Sequence, residues 1–368
     1  MRCAGRHLPR RVRVGAERPR PSHTGPTVTG PGSWILLEGG GSRTWAALAT
    51  GTSVRSEASG PSTNPRSVGD RQAVSTLAAL LTTLFTGLPA DRQSTVRGVI
   101  AAHGAASTTL TATRFGALLR DTLTATGLPG VPTLVTNDIA VPLLSADGPL
   151  CVVIAGTGTG FAARHGPRVA RASGLEWLLS DEGGGHHIAV AALRAVIRAM
   201  DGRGPHTTLI DAASRWTGRD DLPLPDALFD AVYAAHSKAH VATFAEHVLE
   251  AASSGDHVAT AVLDDAAREL AAGAEAVSRR CGLTSQPITL IVAGSLLTRA
   301  HGLRSRLAAH LTGRLHLQAI IDHAATDRAA ALLHLRGIWA SEPGTLTAFT
   351  TALPTWASTS TARTVTMR

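Results

Sequence analysis

Asp138 is the residue with the clearest chemistry in this chain. It closes Thr136-Asn137-Asp138, directly after the apolar pair Leu134-Val135, and stands upstream of Gly156-Thr157-Gly158-Thr159-Gly160. The stretch Cys151–Ala155 before that loop is apolar and rich in β-branched residues, which predicts a strand covered on both faces. Alternating glycines let successive backbone N–H groups turn towards one point, and Thr157 and Thr159 add hydroxyls. Such a loop suits a phosphate. A carboxylate ahead of a phosphate loop suggests a base that takes the proton of an alcohol while the loop holds a phosphoryl donor.

A second glycine turn lies near the start. Glu38-Gly39-Gly40-Gly41-Ser42-Arg43-Thr44 separates the strand at Trp34–Leu37 from a second strand at Trp45–Ala49. Strand, turn, strand predicts a hairpin, not the strand–turn–helix of a dinucleotide fold. Its glycines permit close approach of a phosphate, or simply a tight turn. Gly60-Pro61-Ser62-Thr63-Asn64-Pro65 reads as a loop of hydrogen-bonding side chains. Asp181-Glu182-Gly183-Gly184-Gly185 precedes a helix expected over Ile188–Met200, where two acids could simply serve the first helical turn. His186 and His187 are adjacent and cannot share a helix face, so cap or solvent roles are preferred over metal binding. The one lysine, Lys238, follows no Walker A glycines, which excludes a P-loop ATPase. Any nucleotide must then be held by glycines, hydroxyls and Mg²⁺.

The elements that position these groups come in a repeating order. Helices are expected at Val68–Leu88 and Arg114–Gly127, with strands at Val96–Ala102, ending at His103, and at Val131–Val135. After the second loop, Phe161–Arg164 returns as an antiparallel strand. Residues 207–284 read as mainly helical, Ile288–Ala293 as a buried strand ending at Gly294-Ser295, Leu303–Leu311 as a helix, and Asp327 opens an Ala-rich helix. The second half thus repeats the first in outline, each half with its own phosphate-type turn. The expected fold class is α/β: two domains, each a mixed sheet flanked by helices. The boundaries fall at 33–146 and 147–340, between an Arg/Pro-rich arm over 1–32, read as disordered, and a loosely ordered tail over 341–368.

Charge and cysteine content narrow the function. The net charge is +8, but seven arginines against one glutamate in residues 1–32 account for most of it. The body is nearly neutral, which argues against a nucleic-acid partner. Three isolated cysteines, Cys3, Cys151 and Cys281, without a CxxC, point to a reducing compartment with neither a disulfide framework nor a cysteine-ligated metal. No apolar run is long enough to cross a bilayer, so a cytoplasmic location without membrane partners is expected.

The ordered set EGGGSRT, GPSTN, TND, IAGTGTG, SDEGGG, EAASSGD and VAGSLL resembles the N-acetylglucosamine kinases of the BadF/BadG/BcrA/BcrD-type ATPase family, within the actin-like (ribonuclease H-like) and hexokinase-like superfamily. The resemblance runs from about Trp34 to Leu335. It implies ATP and Mg²⁺ as cofactors and an amino sugar as substrate, phosphorylated on its 6-hydroxyl, with a homodimer as the possible assembly. Residue by residue it implies that Glu38 places Mg²⁺ through water. Ser42, Thr157 and Gly158 would touch the phosphates, with Gly39, Gly40 and Gly41 supplying N–H groups. Gly294 would pack under the adenosine near Ser295 and Thr298. Asn64 and Asp181 would hold sugar hydroxyls, with Thr159, Gly160 and Gly174 beside the sugar, and Asp138 would be the base. Three positions depart from the family pattern: Glu176 and Ser180 stand where glycines are usual, and His103 where a small residue is usual. A sugar-binding or regulatory member with little catalysis, or an ATPase of the same family acting on another substrate, are the alternatives.

Overall fold

A computed structural model describes residues 32–341 apart from 90–92, 94, 235–237, 300 and 324–326. Almost all of the arm and the tail, with Cys3, lies outside the described residues. The first sheet is built on β1 (Ser33–Gly39), whose side chains alternate between two cores. Ile35 and Leu37 face one apolar cluster and Trp34 and Leu36 another, all nearly fully buried. A strand covered on both faces must be apolar throughout, which is why SWILLEG is so plain in the sequence.

β2 (Arg43–Thr50) and β3 (Ser53–Pro61) add antiparallel on one side, and β4 (Val96–His103) and β5 (Thr133–Thr136) add parallel on the other. The strand order is β3-β2-β1-β4-β5. α1 (Pro65–Val68), α2 (Asp70–Phe85) and α3 (Thr109–Ala125) follow β3 and β4, and α2 and α3 supply Leu77, Leu81, Phe115 and Leu119 to one cluster. α3 starts earlier than its apolar pattern suggests, because Thr108 and Thr111 form a reciprocal capping box.

The second sheet repeats this plan. β6 (Leu150–Ala155), β7 (Thr159–His165) and β8 (Arg168–Ala172) form the antiparallel set, and β9 (Ile288–Ala293) and β10 (Leu317–Asp322) the parallel one, in the order β10-β9-β6-β7-β8. Reading β6 to β10 as β1 to β5 makes the two orders identical, so the expected repeat of two mixed sheets is what the chain forms. The strands without a sequence signal are β3, β8 and β10. Each lies at a sheet edge and carries polar residues, as in SVRSEASGP, so neither alternation nor an apolar run marks them.

Between β8 and β9 stand α5 (Gly185–Met200), α6 (Leu209–Thr217), α7 (Leu224–Phe229), a π-helical turn at Asp230–Ala234, α8 (Lys238–Ser253) and α9 (His257–Arg280). α9 is capped by Asp256, which accepts from Ala259 N at 2.9 Å and from Thr207 and Thr208. α10 (Ser295–Thr298) and α11 (His301–Leu311) link β9 to β10. The last helix, α12 (Asp327–Ser341), follows the second sheet in the chain but packs on the first: Leu332 and Leu335 are buried with Trp34, Leu36 and Ile100. Each such leucine contributes about 1.5–3 kcal/mol, which ties the chain's end to its beginning.

One short element joins the halves. α4 (Ala140–Leu143) directly follows Asp138. Val141 and Leu144 pack into the first-sheet cluster that contains α12, whereas Ile139 and Leu143 pack with Leu150, Val152 and Ile291 of the second sheet. The acid therefore sits beside the helix that packs between the two sheets.

Candidate active site

The two halves enclose a cleft of about 1510 Å³. On the first wall, Gly40, Gly41, Ser42 and Arg43 line it. Gly40 N donates to Arg43 O at 2.9 Å and closes the hairpin. Two further bonds fix the turn from behind: Ser62 Oγ donates to Gly40 O at 2.9 Å, and Gly104 N to Gly39 O at 2.7 Å.

His103, the departure from the family pattern, is part of this support. It is fully buried, stacked on Phe115 with centroids 4.0 Å apart. Its Nδ1 accepts from Ala105 N at 3.0 Å, so Nε2 carries the proton and donates to Thr63 Oγ1 at 2.9 Å. Thr63 Oγ1 lies 2.8 Å from Thr44 Oγ1, which also accepts from Thr63 N. Burial pushes the imidazole down to about 3, which keeps it neutral. The ring occupies the space a Cβ on Gly39 would need, so Gly39 has a packing reason. Gly39 is not among the cleft-lining residues, and neither is Glu38.

Asp138 lines the cleft and faces both glycine segments of this wall: a Cβ on Gly104 would stand 3.2 Å from its Oδ2, and one on Gly40 4.0 Å. Burial pushes the carboxyl above the usual range, and the Arg171 guanidinium and the Ile139 N–H pull it back. Glu38 is raised to about 7, mainly by burial, with Arg328 opposing and Asp138 adding to the rise. Its Oε2 is 3.4 Å from Arg328 Nε. Asn64 lines the cleft while its Oδ1 caps α1 through Arg66 N at 3.0 Å, which leaves its amide N–H groups for a ligand.

The second wall is the Gly156–Gly160 turn, tied to the start of α5 by Gly185 N to Gly156 O at 2.8 Å and His186 N to Thr157 O at 3.0 Å. Asp181 is not a cap of α5, whose N-cap is Gly184 without a side-chain bond; the plain first-turn reading of Asp181-Glu182 is thereby corrected. Asp181 instead turns back at φ +71°, accepts from Thr159 N at 3.1 Å, and fills the place of a Gly158 side chain. His187 does take the local role expected of it, its Nδ1 accepting from Gly183 N at 3.2 Å. Its neighbour His186 lines the cleft beside Trp177.

Gly294, at φ +85°, lets β9 run against the Ala155 carbonyl, where no side chain fits. Gly294, Ser295 and Arg299 line the cleft. The Thr298 hydroxyl instead donates to Gly294 O at 3.0 Å, and Thr298 does not line it. Thr157, Gly158, Thr159, Gly160 and Gly174 all do.

Three cations that line the cleft escaped the motifs. Arg171, on β8, is buried and reaches across to Ser107 O at 3.1 Å. Arg66, on α1, lies 3.9 Å from Glu176 on the opposite wall. Lys238 reaches Asp181 and Glu176; the expectation of a site without lysine is therefore corrected. Only the singularity of Lys238 could have drawn attention to it. Cys151 and Cys281 are both buried in the core of the second half. No described helix is long and apolar enough to cross a membrane.

A five-stranded sheet built twice, with glycine turns and an acid converging on the cleft between the copies, defines the two-domain actin-like class. Residues 37–322 match the BadF/BadG/BcrA/BcrD ATPase family, and the chain belongs to it. It is 29% identical over 148 residues to an N-acetylmuramic acid/N-acetylglucosamine kinase of Clostridium acetobutylicum, covering 40% of this chain and 47% of that protein, so the match spans under half of the relative. A solved structure from Chromobacterium violaceum, provisionally named an N-acetylglucosamine kinase, superposes with a TM-score of 0.64 at 24% identity, over 82% of this chain and 99% of that one. A ROK family glucokinase from Streptomyces griseus, solved with glucose and AMPPNP, superposes with a TM-score of 0.51 at 16% identity, over 83% and 99%. At these identities the two structures speak for the fold.

Proposed function

We propose that this protein is an ATP-dependent kinase of an amino sugar, transferring the γ-phosphoryl group to the 6-hydroxyl of N-acetylglucosamine or a close relative. The observation that carries the reading is the placement of Asp138: one carboxylate on the interdomain wedge, facing the Gly40 turn and opposed by the Arg171 guanidinium. A sugar alcohol is a poor nucleophile at neutral pH. Asp138 orients it and takes its proton as the phosphoryl group transfers, and a base raised by burial towards the working pH suits that task. The Gly40–Ser42 and Gly156–Gly158 turns hold the phosphates through backbone N–H groups and hydroxyls. Gly294 and Ser295 border the nucleoside, and Asn64, Asp181, Thr159, Gly160 and Gly174 surround the sugar.

The residues fit Mg²⁺ as a companion of the triphosphate. The Asp138 charge adds to the rise of Glu38, a repulsion that a dication would relieve, and Mg²⁺ is usually held by one or two carboxylates, waters and substrate phosphates. Bound there, it would offset phosphate charge. The Clostridium relative's name, with its two amino sugars, supports this substrate class.

The test is a coupled ADP-release assay with MgATP over a panel of hexoses and amino sugars, run on wild type and on Asp138→Asn. N-acetylglucosamine or a relative should give turnover, and the variant should lose about 10²–10⁴-fold in kcat. Turnover with no sugar in the panel, or an unimpaired variant, would sink the reading.

A further inference from the structure

The cleft holds a lysine that the proposed chemistry leaves unused. Of 35 cationic side chains in the chain, 34 are arginine and one is lysine. That lysine, Lys238, opens α8 and lines the cleft. Its Nζ lies 2.5 Å from Asp181 Oδ2 and 3.0 Å from Glu176 Oε2. This is not a surface pair of marginal value, because the Asp181 side chain is only 6% exposed.

The ammonium stands beside the second glycine turn. Asp181, its partner, accepts from Thr159 N inside that turn and abuts Gly158. His186, in the first turn of α5, is lowered by burial and also by the charge of Lys238. A compact cation therefore sits where a backbone turn and a helix N-terminus already favour an anion. Asp181 and Glu176 take two of its three N–H donors.

Glu176 adds a second, independent sign. It holds φ +71° within a run that also bends Ser173, Gly174 and Asp181 to positive φ. A glutamate in the left-handed region is strained, and such strain persists where the surroundings enforce it, often at functional sites. The strained residue spends its carboxylate on Lys238.

We infer that Lys238 is the cation for the terminal phosphate of the nucleotide, parked on Asp181 and Glu176 in the structure described and exchanging Glu176 for a γ-phosphate oxygen when the triphosphate binds. Lys238 keeps its proton throughout, and no bond to it forms or breaks. It supplies charge where the phosphoryl oxygens gather it during transfer. A flexible ammonium with three rotatable donors can trade one acceptor for another, whereas a planar guanidinium locks into a fork. This is a reason for lysine in a chain that otherwise uses arginine. The inference rests on the kinase reading.

Calorimetry with the non-hydrolysable analogue AMPPNP and with ADP, each with Mg²⁺, tests it on wild type, Lys238→Met, Lys238→Arg and Glu176→Gln. Lys238→Met should lose about ten- to hundredfold in AMPPNP affinity and none for ADP, Lys238→Arg should restore only part, and Glu176→Gln should bind AMPPNP at least as tightly as wild type. Equal losses for both nucleotides, no loss, or a Glu176→Gln defect as large as that of Lys238→Met would show a structural ion pair and overturn the proposal. Wild-type protein labelled with ¹³C-lysine offers a readout free of mutation: one side-chain signal, which should move with AMPPNP and stay with ADP. A signal indifferent to AMPPNP overturns the lysine assignment alone, while wild type that binds neither nucleotide overturns the kinase reading with it.

Discussion

Arg171 Nη1 donates to the Ser107 carbonyl oxygen across 3.1 Å, joining a strand of the second sheet to the loop that follows β4 in the first. The same guanidinium opposes the burial that raises Asp138, and its buried Nε has no partner among the described residues. One side chain thus bridges the two sheets and opposes the rise of the acid proposed as the base.

Removing that cation should move the pH dependence of catalysis. In Arg171→Met only backbone N–H groups still offset the burial of Asp138, so its carboxyl should rise further and the acid limb of kcat/KM should shift to higher pH. Arg171→Lys should restore part of the shift. A pH–rate profile with an unmoved acid limb in Arg171→Met would show that Asp138 does not sense this charge.

Glu38 makes a prediction about stability. Its carboxyl is raised from 4.5 to about 7 in the fold, so between those values the folded chain binds more protons than the unfolded one. Its contribution is fully present below pH 4.5 and is lost as pH rises through about 7. Thermal melts should show this fall, and Glu38→Gln should flatten it. Mg²⁺ with nucleotide should protect wild type most above pH 7. A Glu38→Gln melt curve parallel to wild type across this window would refute the assignment.

The packing of Gly39 against His103 can be read by a double-mutant cycle. A methyl group on Gly39 meets the imidazole ring, so Gly39→Ala should cost about 1–3 kcal/mol by overpacking. His103→Ala makes room but strips Thr63 of its donor. The double variant should be more stable than the sum of the single losses predicts. Strict additivity in denaturant unfolding would mean that the two residues do not press on each other.

Asp256 anchors the helical layer of the second domain. Against the burial that opposes it, bonds from Ala259 N, Thr208 N and the two threonine hydroxyls hold its carboxyl at about 2. Its contribution is present above the ordinary value of 3.8 and is lost as pH falls through about 2. Asp256→Ala should cost at least about 1–2 kcal/mol through the lost cap of α9, measured by denaturant unfolding near neutral pH, and the loss should shrink in acid. A pH-independent difference would point to packing instead.

Much of this molecule is legible in one dimension because the signals are local. The run Trp34–Leu37 and the run Cys151–Ala155 announce strands buried on two faces, and the glycines after each announce turns. Their repetition announces two like domains, and the order of the motifs announces the family. What proximity along the chain cannot convey is which distant charges meet. Arg171 and Ser107 are 64 residues apart, and Lys238 and Asp181 are 57 apart; neither cation has a period, a cap or a motif to mark it. Asp181-Glu182 looked like ordinary helix-start chemistry until a positive φ turned Asp181 back on the second glycine loop. Folding decided these partnerships because a hydrogen bond or an ion pair forms only when its members stand within a few ångströms of each other. For Arg171 and Ser107 that approach is set where α4 packs between the two sheets, and for Lys238 and Asp181 by the packing of α8 on α5; the residues that bring it about lie in neither pair.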